Sequence, residues 1–158
     1  MENVKKNIAE LTIDIRNISH QIMPKSLDEG ALKSSLLTQI EIINKGIANC
    51  EVSFYDFDFP EKIAASWIHN MYLISLEIIH NALKHGHPTL INIEFYAYDD
   101  VYVFQFSDNG TGFDIDNTPK GFGLNSIINR VEAENGTFEI NSNSIDGTII
   151  QITLPTVH

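Results

Sequence analysis

Glu77-Ile78-Ile79-His80-Asn81-Ala82-Leu83-Lys84-His85-Gly86 puts a carboxylate and a carboxamide where a buried helix should not tolerate them. From Met71 to Ile79 only Ser75 and Glu77 break an apolar run, so a helix here has hardly any face left for water. Glu77 is therefore expected to be half buried. A carboxylate in such surroundings needs a partner, a metal or a catalytic task, because desolvating an unpaired charge is costly or forces it to take a proton. The spacings i, i+4 and i+7 or i+8 line up Glu77, Asn81 and then Lys84 or His85 on one stripe. That stripe offers a base, an oxygen ligand and cations. Taken alone it reads equally as a core helix whose Lys84 and His85 serve the C-terminal carbonyls.

Downstream of this helix, Ile91, Ile93 and Phe95 alternate with Asn92, Glu94 and Tyr96, as a half-buried strand should. A turn at Asp99-Asp100 leads to a second strand over Val101–Phe106, and the pair is expected to form an antiparallel hairpin. Asp108-Asn109-Gly110-Thr111-Gly112-Phe113 follows at once. After a polar stretch to Lys120, Gly121-Phe122-Gly123-Leu124 opens a helix expected to reach Glu134. Two closing strands, Thr137–Asn141 and Thr148–Leu154, are joined through Asp146-Gly147. A glycine turn entering a helix N-terminus presents backbone donors and the positive end of the dipole, which holds phosphate oxygens without basic side chains. An Asp at a strand end beside glycines can accept hydrogen bonds from the amine edge of a base. Asn81 can give an oxygen to a magnesium ion, which keeps several waters and needs few protein ligands.

Upstream, Pro60 is expected to open the central helix and Glu51–Phe57 to form a strand. Leu32, Leu36, Ile40, Ile43 and Ile47 mark an earlier helix weakened near its end by Gly46. Val4, Ile8, Leu11, Ile15, Ile18 and Ile22 recur at steps of four and three, the seam of a helix that packs on another helix, and Pro24 closes it. The expected organisation is a dimerisation-type helix over residues 1–24 and one domain over 25–158. That domain is an α+β two-layer sandwich, a mixed and mainly antiparallel sheet with helices on one face.

The chain of 158 residues is long enough to bury a core, and 43% hydrophobic with 20% charged residues describes an ordinary globular protein. A formal charge of −11 argues against broad nucleic-acid binding and means that an anionic ligand needs local cations or a metal. One cysteine, Cys50, excludes an internal disulfide or a cysteine-built zinc site within the chain and fits a reducing compartment. No run approaches the apolar length that crosses a bilayer, and the polar start is not followed by a signal-type core, so a cytoplasmic location is expected.

Together, E-I-I-H-N-A-L-K-H, D-N-G-T-G-F, G-F-G-L and the G-T of the last strand resemble the Bergerat-type ATP-binding fold shared by gyrase, Hsp90, MutL and histidine kinases. The likeness is nearest to bacterial sensor histidine kinases of the nitrate-sensor and DesK-like type and covers roughly residues 8 to 155. It implies that ATP and Mg²⁺ are bound, with Asn81 on the metal and Glu77 orienting or activating the attacking group. It also implies that Lys84 and His85 approach the phosphates and that Asp108 reads the adenine amine. Gly110 and Gly112 would let the backbone close on the nucleotide, Gly121, Gly123 and Leu124 would face the phosphates, and Thr148 would support the adenine end. Arg130 and Lys120 are weaker candidates, with a surface ion pair and a solvated lid as their plain roles. As partners the resemblance implies a homodimer through the N-terminal helix and a response regulator receiver domain. Membrane attachment would come only through segments upstream of this chain.

One feature of the family is not matched. The acceptor histidine of these kinases is followed by an acidic residue and a long helix, whereas His20 is followed by Gln21 and, three residues later, Pro24. The first helix instead resembles the second helix of the dimerisation hairpin, and the acceptor is expected outside this chain, on a longer kinase or a separate histidine protein. Two other functions compete: an anti-sigma-type serine kinase, disfavoured by the Val4–Ile22 seam, and a non-catalytic, nucleotide-switched dimerisation module.

Overall fold

A computed structural model describes residues 31–59, 63–115 and 122–156. In chain order these form α1 (Ala31–Gly46), β1 (Glu51–Phe57), α2 (Ala65–Asn81), a π-helical turn (Ala82–Gly86), β2 (Leu90–Ala97) and β3 (Val101–Asp108). They are followed by α3 (Phe122–Ala133), β4 (Thr137–Asn143) and β5 (Gly147–Pro155). The five strands make one sheet in the order β1-β2-β3-β5-β4. β1 runs parallel to β2 and every other neighbour is antiparallel, so the sheet is mixed as expected.

Strand periodicity decides which face is dry. Ile91, Ile93 and Phe95 of β2, Phe104 and Phe106 of β3, and Ile150, Ile152 and Leu154 of β5 are all buried. The register sets Phe95 opposite Phe104 and Phe104 opposite Ile152, with the two phenylalanine rings 4.6 Å apart and near-perpendicular. Onto this face pack Leu32, Leu36, Ile40 and Ile43 of α1, nearly every second residue of α2, and Ile127 and Val131 of α3, in one continuous core. The opposite face carries Tyr55, Glu94, Tyr96 and Glu139 and meets solvent. Helices on one side and water on the other is the two-layer sandwich.

β1 is an edge strand, and α1 covers its open side. The Asn44 carboxamide accepts from the Val52 N–H and donates to the Val52 carbonyl, both at 2.8 Å. One side chain thus stands in for a neighbouring strand at a buried residue, which blunts the edge against pairing with another chain.

Three boundaries differ from the sequence-based expectation. The central helix starts at Ala65, not at Pro60: Ala64 keeps an extended ψ of 135° as the N-cap. Ile63 before the cap and Ile68 in the first turn are both in the core, the hydrophobic staple that fixes the entry of the chain. The α-helix also ends at Asn81 instead of His85, and the left-handed residue that stops the chain is His87, φ 49°, not Gly86. The closing hairpin is longer than expected, Asn143 pairing with Gly147. The Val4–Ile22 helix, His20, Pro24, Pro60, Lys120 and Gly121 lie outside the described residues.

Replacing Asn44 by Ala removes both hydrogen bonds to the Val52 backbone. Urea denaturation should show a loss of about 1–3 kcal/mol, with nucleotide affinity unaffected once the protein is folded.

Candidate active site

The carboxylate and carboxamide of α2 reach the same place, the start of α3. Glu77 and Asn81 lie one turn apart and are both half-buried. A Cβ added to Gly123 would run into Glu77 Oε1 and lie 3.2 Å from Asn81 Nδ2. Glycine lets α3 begin this close without displacing the Glu77 carboxylate, and the approach puts both polar groups beside the positive end of the α3 dipole. The two helices run antiparallel from there. Arg130 donates to Asn70 Oδ1 at 3.1 Å, and Asn70 donates to Glu134 Oε1 at 2.6 Å, two turns back along α2. Seven residues from Glu77 to Asn70 is about 10 Å along a helix. The described bond of Arg130 therefore serves helix pairing, with an amide as partner, and not the glycine turns.

The π-turn after Asn81 widens the helix and takes Lys84 and His85 off the line an α-helix would have followed. Both are exposed. Partial burial, then the charges of Lys84 and His87, hold the His85 imidazole below its ordinary pKa. The same turn delivers the Gly86 carbonyl to the second glycine motif, where it accepts from the Thr111 N–H at 2.8 Å. A Cβ on Gly110 would sit 2.5 Å from that carbonyl and 2.8 Å from Asp108 Oδ1. Asn109 fastens the turn to the start of β2: its Oδ1 accepts from the N–H groups of Thr89 and Leu90, each at 2.9 Å.

Asp108 ends β3, half-buried, and accepts from the Gly110 N–H at 2.8 Å. Burial raises its pKa, while hydrogen bonds from the backbone of Gly110 and Thr148 oppose the shift. Burial also raises the Cys50 thiol, and the Asp108 charge adds to it, so a neutral thiol packs near the carboxylate. Across the sheet Asp108 pairs with Thr148. Gly112 (φ 56°) and Gly147 (φ 81°) close the other wall, where a side chain would meet the carbonyls of Asn143 and Asp108 respectively. The Phe113 N–H, Thr148 Oγ1 and the Gly147 carbonyl all meet the hydroxyl of Ser142.

The structure thus gathers two clusters: Glu77, Asn81 and Gly123, with Leu124 next to the last, and Asp108, Gly110, Gly112 and Thr148. The Gly86 carbonyl bridges from the helix to the second cluster. Gly147 and Asn109 stood within the sequence motifs without a role of their own, and Ser142 was not singled out from sequence. A glycine directly before Thr148 and an Asn between Asp108 and Gly110 were legible signals. Ser142 had none, because only the register of β4 against β5 brings it to Thr148.

Residues 69–158 match the family of histidine kinase-, DNA gyrase B- and HSP90-like ATPases. The chain belongs to this ATPase family. It is similar to the oxygen sensor histidine kinase NreB of Staphylococcus carnosus (strain TM300), 28% identical over 153 residues that cover 94% of this chain and 43% of the relative. It is also similar to the sensor protein VraS of Staphylococcus aureus (strain COL), 25% identical over 96% of this chain and 43% of the relative. The chain thus spans less than half the length of these curated relatives. The fold matches the histidine kinase domain of a blue-light activated histidine kinase from Erythrobacter litoralis EL346, with a TM-score of 0.68 at 16% identity, covering 98% of this chain and 96% of that one.

The raised pKa of Asp108 fixes a pH test. The group favours folding while protonated, and that contribution is lost as pH rises through its folded pKa. Asp108→Asn escapes the loss. Without nucleotide the variant should melt at or above the wild type at pH 7, and the gap should close as pH falls below about 4. Melting curves from pH 3.5 to pH 8 decide it, and a gap that widens on acidification would contradict the burial argument.

Proposed function

We propose that this chain is the ATP- and Mg²⁺-binding catalytic domain of a sensor histidine kinase, and that the γ-phosphate is transferred to a histidine outside it. The observation that carries the reading is the convergence of Glu77, Asn81 and Gly123. A carboxylate, a carboxamide and the donor end of a helix occupy one corner at Gly123. Phosphoryl transfer asks the protein mainly for positioning and for charge neutralisation, and this corner offers both.

The residue roles on this reading are these. The α3 N-terminus, with Gly123 and Leu124, would face the phosphate end through backbone donors, and Gly121, outside the described residues, is assigned the same role from its motif. Glu77 orients or activates the attacking group. Lys84 and His85 are exposed where the π-turn leaves α2 and supply positive or donor groups to phosphate oxygens. Asp108 accepts from the base amine, Gly110 and Gly112 allow close backbone approach, and Thr148 lies beside Asp108 at the base end. Among the described residues no cluster of three His, Cys, Asp or Glu side chains could hold a metal ion. An ion held mainly by phosphates and water, with Asn81 as its protein ligand, suits Mg²⁺ and that donor set. When bound, the ion would neutralise phosphate charge that Glu77 would otherwise repel.

The partners on this reading are a second copy of the chain through the helix expected over residues 1–24 and a receiver domain of a response regulator. No helix among the described residues is long and apolar enough to cross a membrane. A cytoplasmic domain, free or carried by a membrane sensor, is the setting proposed.

Calorimetric titration of a non-hydrolysable ATP analogue tests the assignment. Magnesium should tighten binding to the wild type at least about tenfold, a difference of ~1.4 kcal/mol, and Asn81→Ala should abolish that difference. An unchanged magnesium effect in the variant removes Asn81 from the metal. Glu77→Gln should keep analogue affinity while phosphoryl transfer to a supplied histidine domain falls about 10²–10⁴-fold.

A further inference from the structure

Ser142, next to last in β4, gathers three groups around one hydroxyl. The Phe113 N–H donates to Ser142 Oγ at 2.9 Å. The Gly147 carbonyl lies 3.3 Å away and can accept from it. Thr148 Oγ1 lies 2.9 Å away, and either hydroxyl of that pair can donate. A serine hydroxyl has one proton and two lone pairs, and Phe113 fills one lone pair in every arrangement. Two states remain. In the first, Ser142 donates to Gly147 and accepts from Thr148, so Thr148 turns only lone pairs outward. In the second, Ser142 donates to Thr148, and the Thr148 proton is released for an outside acceptor.

The neighbourhood ties this choice to Asp108. Phe113 closes the glycine turn that begins at Asp108, and Thr148 is its cross-strand partner on β5. Gly147 packs so close to the Asp108 carbonyl that a side chain there would collide with it. Ser142 thus joins both walls around the carboxylate without reaching the site itself.

We propose that Ser142 is a positioning residue for base recognition, holding the Thr148 hydroxyl beside the Asp108 carboxylate so that one presents a proton donor and the other an acceptor to the same base edge. Adenine offers the matching pair, an exocyclic amine and the adjacent ring nitrogen, and Thr148 meets the latter directly or through one water. Binding selects the second proton arrangement, while the first satisfies every group when no base is present. The inference rests on the reading of Asp108 as the contact to the base amine.

A double-mutant cycle on ATP-analogue affinity, measured by calorimetry on the 158-residue chain, tests it. Ser142→Ala and Thr148→Val should each weaken binding about tenfold, the worth of one hydrogen bond. The double variant should be no weaker than either single one, and Ser142→Thr, which keeps the hydroxyl, should restore most of the affinity. Equal losses from Ser142→Ala with and without the Thr148 hydroxyl overturn the proposal, as does a lowered melting temperature with unchanged affinity. Asp108→Asn is the separate control. If it leaves affinity unchanged, the base does not sit at Asp108 and the underlying reading fails. If it weakens binding while the cycle is additive, only the role of Ser142 fails.

Discussion

Everything in the site depends on how closely α3 can begin against α2. A side chain at position 123 would force the Glu77 carboxylate to move, so glycine there keeps the carboxylate and the Asn81 carboxamide where they lie. The approach does two things at once. It gives Glu77 the positive end of a helix in place of the water it has lost. It also leaves the donors of that helix end next to the Asn81 carboxamide. A more distant α3 would leave Glu77 with an uncompensated desolvation cost.

The second constraint is the π-turn. Had α2 run on as an α-helix to His85, the end of the chain would have pointed along the axis. Widening over Ala82–Gly86 bends it instead, so that the Gly86 carbonyl caps the Thr111 N–H and abuts Gly110. Helix α2 and the Asp108 turn are thereby joined through backbone, and neither can shift without the other. His87 takes the left-handed conformation that this exit requires, with some cost for a residue carrying a side chain.

Much of the sheet was legible from sequence because it follows from period-two alternation: Ile91, Ile93 and Phe95 face the core as that pattern demands. The parallel pairing of β1 with β2 was not, since a strand of seven residues carries no signal of its partner's direction. The start of α2 was misplaced at Pro60 because proline is only permitted at a first turn, whereas the packing of Ile63 and Ile68 fixes the true start at Ala65. Glu77 and Asn81 stood out because they violate the apolar pattern around them, and Asp108 because it is set among glycines. Lys84 and His85 were lined up on an ideal α period that the π-turn breaks. Ser142 gave no signal, because a serine on a solvent-facing hairpin is ordinary until the register sets it beside Thr148.

Asp108 shows what such a site costs the fold. Its carboxylate is kept half-buried with two backbone donors that do not fully offset desolvation, so the unliganded domain holds an anion that would be more stable in water. Cys50 lies in the same field and stays a neutral thiol, so it brings no compensating charge. On the proposed function the compensating partner is a donor from outside the chain. A base amine is such a donor, and part of its binding free energy would relieve a penalty already present in the folded protein. Core packing can tolerate that penalty because the sheet beneath is continuous: Ile93, Phe106 and Ile150 form an unbroken buried row next to that of Asp108, followed by Phe95, Phe104 and Ile152. Stability is thus concentrated in the sheet and α2, while the half-buried Asp108 carboxylate sits at the end of its strand.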